Sequence, residues 1–83
     1  MIKKTKKYLK NIAKTHSPTE TKQIVKKLVQ HPDLKEIEQW LIYYTYGEDR
    51  MVANTCNKLS ISERQFHFMR DVALTKLYYI LGL

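Results

Sequence analysis

Apolar residues recur along this chain at steps of three and four and almost nowhere at alternate positions, a pattern that predicts helices throughout. Ile24, Val25, Leu28 and Val29 form one stripe. Leu34, Ile37, Trp40, Leu41 and Tyr44 form the most apolar one and are expected to supply the core. Val52, Cys56 and Leu59 form a third. Phe66, Met69 or the stem of Arg70, Ala73, Leu77, Ile80 and Leu81 form the longest. Near the start, Leu9, Ile12 and Ala13 lie beside a face of Lys3, Lys7, Lys10 and Lys14. That first stretch, Ile2 to Lys14, reads either as a short helix or as a basic arm that orders on a partner.

Punctuation sharpens the boundaries. Ser17-Pro18-Thr19-Glu20 places an N-cap before a proline, with a reciprocal Glu three residues on. His31-Pro32 stops that helix, because the residue before proline avoids the helical region. Asp33-Leu34-Lys35-Glu36 opens the next, and Gly47 is placed to end it in the left-handed conformation. Asp49 is expected to cap a fourth helix from Arg50 to about Leu59. Ser62 and Gln65 have the spacing of a capping box for a fifth, Glu63 to about Leu81, which Gly82 ends. The fold class is therefore all-α, a small four- to five-helix domain with a C-terminal helix-turn-helix. Residues 1–83 form one domain: a basic arm or short helix at 1–16, supporting helices at 17–46 and the helix-turn-helix at 49–81.

Charge narrows the partners. The net charge is +7, and residues 1–30 hold nine Lys against one Glu. Residues 31–48 hold one Lys against three Glu and one Asp, and residues 49–83 hold five basic against three acidic residues. Lysines also keep small proteins soluble, but an excess gathered in one segment favours a polyanionic partner such as DNA or RNA. An 83-residue chain buries only about 60% of its unfolded surface, so stability is modest. No apolar run exceeds five residues, the length of Trp40 to Tyr44, far short of the ~18 that a membrane span needs. The basic start lacks the apolar core of a signal peptide, and a cytoplasmic location with no membrane partner is expected.

Several kinds of chemistry lack their residues. Two glycines cannot build a glycine-rich phosphate loop. His16, His31 and His67 have no Cys or carboxylate at metal-ligand spacing. No Ser-His-Asp or paired-carboxylate arrangement stands out, so neither catalysis nor a cofactor is expected. Cys56, the single cysteine, reads as a small core residue rather than a reactive thiol.

The remaining signal lies between Leu59 and Leu77. A helix-turn-helix needs a small residue where its helices cross, for which Cys56 and Ala53 are candidates. It also needs an apolar plug in the turn, here Ile61, an N-cap, here Ser62, and an apolar inner face, here Phe66, Met69 and Ala73. The run Leu59-Ser60-Ile61-Ser62, then Phe66, Arg70, Ala73-Leu74 and Lys76-Leu77, resembles the C-terminal DNA-binding domain (region 4) of sigma factors. It is similar also to small phage regulators of late transcription of the ArpU/RinA kind, which share that motif. The resemblance covers roughly Ile37 to Leu81. It implies that Glu63, Arg64, His67 and Phe68 meet the major groove of double-stranded DNA, with Arg70 or Asp71 at the margin.

In that reading Arg64 is the candidate for a bidentate guanine contact and Glu63 for a cytosine amino group. His67 donates to a phosphate or a base. Phe68 either touches thymine methyl groups or packs against another helix or a second subunit. Lys58, Arg50 and the lysines of residues 3–27, Lys22 and Lys26 among them, would meet phosphates; a solvated helix face explains Lys22 and Lys26 equally well. Tyr43, Tyr44, Tyr46, Tyr78 and Tyr79 can stack on bases, although tyrosines at helical spacing more often fill cores and interfaces.

The expected function is a sequence-specific DNA-binding transcriptional regulator, phage or mobile-element encoded and activating. The alternatives are a sigma-like protein-interaction module for RNA polymerase or another regulator, and a small DNA-packaging subunit. The apolar end at Tyr78, Tyr79, Ile80, Leu81 and Leu83 predicts a homodimer.

Overall fold

The computed structural model describes residues 1–83 as five α-helices with no strand. They are α1 (Ile2–Thr15), α2 (Pro18–Leu28), α3 (Glu36–Ile42), α4 (Val52–Leu59) and α5 (Glu63–Ile80). A π-helical turn, Tyr43–Gly47, prolongs α3. No helix is long and apolar enough to cross a membrane.

The basic start is a helix because its inner face has somewhere to go. Leu9 is fully buried and Ile12 nearly so, and α1 packs against α5, α2 and the π-turn. Burying one such aliphatic side chain contributes about 1.5–3 kcal/mol. The Thr5 hydroxyl, also buried, lies 3.0 Å from the Leu74 carbonyl of α5 and 3.2 Å from that of Met1. Ala13, expected on the apolar face, is exposed.

The capping box at α2 forms as read. Ser17 Oγ accepts from the Glu20 N–H at 3.2 Å, and the Glu20 carboxylate accepts from the Ser17 N–H at 2.9 Å. Val25 and Val29 carry the buried face, with Ile24 and Leu28 half-buried beside them.

α3 departs from the expected pattern. Its buried positions are Glu38, Leu41 and Ile42, with Leu34 buried just before it, whereas Ile37 and, in the π-turn, Tyr44 are half-buried and Trp40 is 40% exposed. The inner face is turned by one residue, about 100° around the axis, from the stripe that apolarity alone suggests. Glu38 can occupy it because both demands on its carboxylate are met. Oε1 accepts from the Lys35 N–H at 2.8 Å, capping the helix, and from Lys76 Nζ of α5 at 2.8 Å.

The end of α3 also differs. The Glu48 N–H reaches back five residues to the Tyr43 carbonyl at 3.0 Å, a π-type bond. Gly47 is not left-handed; the positive-φ residue there is Asp49, at φ 54°. A Cβ on Gly47 would stand 3.0 Å from a Tyr43 ring carbon and 3.4 Å from Val25 Cβ, so glycine lets α2 approach. Asp49, committed to the left-handed turn that Asp tolerates, does not cap α4; Met51 holds the cap position without a side-chain bond.

α4 buries Thr55 and Cys56, and Ala53, the other candidate for a helix crossing, is exposed. Burial, with the Glu63 carboxylate nearby, pushes the Cys56 thiol above its ordinary value. Ser60 follows in the left-handed conformation, φ 56° and ψ 45°. The Ile61 N–H then closes on the Cys56 carbonyl at 3.1 Å, satisfying an end carbonyl of α4.

α5 is the element the others share, lying against α1, α3 and α4. Phe66, Ala73, Leu74 and Leu77 are buried along it. Leu74 is a core residue the stripe did not include, while Met69, Ile80 and Leu81 only flank the core.

Candidate nucleic-acid interface

The exposed basic and aromatic residues fall into two groups. The first stands on the opening turns of α5. Ser62 Oγ accepts from the Gln65 N–H at 3.1 Å, and Gln65 Oε1 accepts from the Ser62 N–H at 2.8 Å. This box fixes where the helix starts. Glu63, Arg64, His67 and Phe68 project from it and are all exposed, Phe68 at 71%. Glu63 and His67 face each other one turn apart, carboxylate oxygen to Nε2 at 3.9 Å. Arg64 makes no ion pair and no side-chain hydrogen bond; the arginine pairs are those of Arg50 and Arg70.

Arg70 does not stand with them. Its guanidinium donates twice to Asp71 Oδ1, each at 3.2 Å, and lies 5.9 Å from the Phe66 ring centroid. Phe68 instead borders a groove between the start of α3 and α5, lined also by Lys35, Glu38, Met69, Val72 and Lys76.

The second group surrounds Tyr44. The Arg50 guanidinium lies 5.4 Å and Lys58 Nζ 5.3 Å from its ring centroid, distances at which a cation is attracted to an aromatic face. Arg50 is also hydrogen-bonded to the Glu48 carboxylate and, at 2.7 Å, to Asn54 Oδ1. Trp40 stacks on Tyr44 with centroids 5.5 Å apart and planes at 25°, and Tyr43 meets Trp40 edge-on. Lys26 lines a shallow groove with Gln30, Gln39, Trp40 and Tyr43. Lys22 borders a separate cleft of about 450 Å³ between α1, α2 and the π-turn, with Lys10, His16, Glu48 and Arg50.

Trp40 is the residue that sequence reasoning missed as surface. The signal was Glu38 two positions earlier: a carboxylate that caps its own helix can face inward and turn its neighbours out. No group of three or more His, Cys, Asp or Glu side chains is arranged to hold a metal ion.

Glu48 ties the second group to the fold. Burial pushes its carboxyl up, but the Arg50 hydrogen bond, the Tyr43 hydroxyl and the Arg50 and Lys22 charges outweigh burial and hold it below its ordinary 4.5. A carboxyl depressed on folding adds stability above its unfolded value and loses it as pH falls through the folded one. Urea midpoints should therefore drop on acidification below 4.5. Glu48→Gln should flatten that acid limb, and an unchanged slope in the variant would refute the assignment. Glu20, depressed by its bonds to Ser17, keeps its own share of the limb in that variant.

Compared with known protein families, curated proteins and solved structures, the chain matches none of them.

Proposed function

We propose that this chain is a sequence-specific regulator of transcription that binds double-stranded DNA. In this reading α4, the turn through Ser60 and Ile61, and the opening of α5 act as a sigma-like helix-turn-helix. The observation that carries it is Arg64, an exposed guanidinium with no partner in its own chain, on the free end of a capped helix. A guanidinium so placed keeps its whole donor fork for the O6 and N7 acceptors of guanine in the major groove. Glu63 and His67 flank it, and Lys58, at the end of α4, supplies a phosphate contact. Arg50 contributes charge from its place beside Glu48, and Lys22 and Lys26, exposed on α2, add to the positive charge that attracts the phosphates. Arg70, held by Asp71, stays at the margin. A phage or mobile-element origin, an activating role and a cytoplasmic setting belong to the same proposal.

The test begins with duplexes selected from a random pool by the wild-type chain. Arg64→Ala should weaken binding to the selected duplex by about five- to a hundredfold, as expected for a lost bidentate contact of about 1–3 kcal/mol. Binding to unrelated duplexes and the thermal midpoint should hardly change. Equal affinity of variant and wild type for the selected duplex would refute the assignment of α5.

A second reading rests on Phe68, whose exposed ring beside Met69 and Val72 suits a protein contact, with RNA polymerase or a second copy of the chain. Association that survives nuclease and is lost in Phe68→Ala would favour it.

A further inference from the structure

We propose that Trp40, with Tyr43 and Tyr44, is a stacking platform for single-stranded nucleic acid, and that Lys26 and Lys58 hold the phosphates of the bound strand. The rings lie on α3 and its π-turn, with Lys26 on α2 and Lys58 on α4; the two lysines are shared with the duplex reading, but Arg64 and the rest of α5 are not. Three observations carry it.

The first is that Trp40 is held in place yet left uncovered. Its indole stacks on Tyr44 and meets Tyr43 edge-on, so its orientation is fixed before any ligand arrives. It is nevertheless 40% exposed, while its neighbours Leu41 and Ile42 are fully buried and close the core without it. The exposed part of this indole is an aromatic surface that can meet the π-face of a base, whatever the base.

The second is the charge around it. Lys26 lines the groove that Trp40 and Tyr43 border. Lys58 Nζ lies 5.3 Å from the centroid of Tyr44, the ring on which Trp40 stacks. Neither makes an ion pair, whereas Arg50 beside them is already held by Glu48. Aromatic rings interleaved with uncommitted lysines are the arrangement that binds a strand through alternate base and phosphate. Tryptophan and tyrosine are also enriched at protein interfaces, but lysine is depleted there, so the pair of lysines favours a phosphate backbone.

The third is geometric. Inside a duplex each base face is covered by the next base pair, so away from its ends only unpaired bases can lie on Trp40, and a single strand is the occupant proposed.

Trp40 is the only tryptophan of the chain, so its emission reports the site directly. The full-length chain is titrated at low salt with a thymidine oligonucleotide of about 12 residues, within the span of such sites. Quenching that saturates is expected, with an affinity that falls as salt rises. Anisotropy of the labelled oligonucleotide should show Trp40→Ala binding about five- to a hundredfold more weakly, and Trp40→Phe recovering much of the loss. Lys58→Gln should reduce the slope of log affinity against log salt by about 0.7. Circular dichroism of the half-exposed Trp40 variants should match the wild type. Arg64→Ala should keep the quenching, which separates this surface from the proposed duplex site. An oligonucleotide that binds without altering Trp40 emission, or that binds Trp40→Ala as well as wild type, would overturn the proposal. So would emission changes that follow protein concentration alone, which would make the surface an interface between copies.

Discussion

Phe66→Ala is expected to lower the thermal midpoint by at least about 12 °C. Phe66 is 1% exposed, and it is the inner face of the opening turns of α5, whose outer residues Arg64, His67 and Phe68 are exposed on either side of it. Removing a buried phenylalanine side chain costs about 3–5 kcal/mol, because the lost transfer energy is joined by a cavity that neighbours fill only in part. In a domain of this size each kcal/mol is worth about 4–8 °C. A chain of 83 residues has roughly 4–12 kcal/mol in all, so the variant stands near or past its unfolding limit at 37 °C. The Arg70 guanidinium over the ring loses its partner as well. Differential scanning calorimetry measures the shift, and a fall of under 4 °C would show that the ring is not the anchor described here. Phe66→Leu, which keeps most of the apolar volume, should recover more than half of the loss.

Glu38→Ala comes next, at about 2–3 kcal/mol by chemical denaturation. Two bonds end on one oxygen: the Lys35 N–H that starts α3, and Lys76 Nζ reaching across from α5. A hydrogen bond to a charged group contributes about 1.5–3 kcal/mol, and losing one side of a buried pair costs more than the pair gained. Lys76 is 31% exposed and can swing to water, which holds the loss below that of a fully buried pair. Glu38→Gln separates the two roles. Its amide oxygen still accepts from Lys35 while the charge is gone, so it should recover about half the stability and lose sensitivity to salt. Wild-type stability in Glu38→Ala would mean that the cap and the bridge do not hold α3 to α5.

These two residues also mark what could be read from the chain. Ser17 with Glu20, and Ser62 with Gln65, were legible because each box closes within four residues and needs nothing from the rest of the fold. Phe66 was legible because a helical stripe ran through it. Glu38 was harder to read: its bond to the Lys35 N–H is local, but lysine is no side-chain cap, and its partner Lys76 lies 38 residues away. With Glu38 inside, Leu34 and Leu41 are buried as the stripe predicts, but Trp40 stays at the surface. Gly47 and Asp49 failed for a related reason: the π-turn adds a residue to the cycle, so a count by 3.6 no longer finds the one that turns left. Among the site residues, exposure of Glu63, Arg64, His67 and Phe68 follows from the cap and the stripe together. The gathering of Arg50 and Lys58 at Tyr44 depends on how the loop between the π-turn and α4 folds back, and had no local signature.

The placement of Phe66 has a consequence for association. It follows the Ser62 cap by four residues, so Glu63, Arg64 and Gln65 are bracketed by a closed box and a core anchor, and His67 follows directly on that anchor. Ordering even four residues of coil into helix would subtract roughly 4–8 kcal/mol from any encounter. Here folding has already met that cost. A ligand of this end has only side-chain rotamers to freeze, about 0.5–1.5 kcal/mol for each long one. Such an end should capture its partner at rates set by diffusion and charge, with no slow phase in which the helix has first to form.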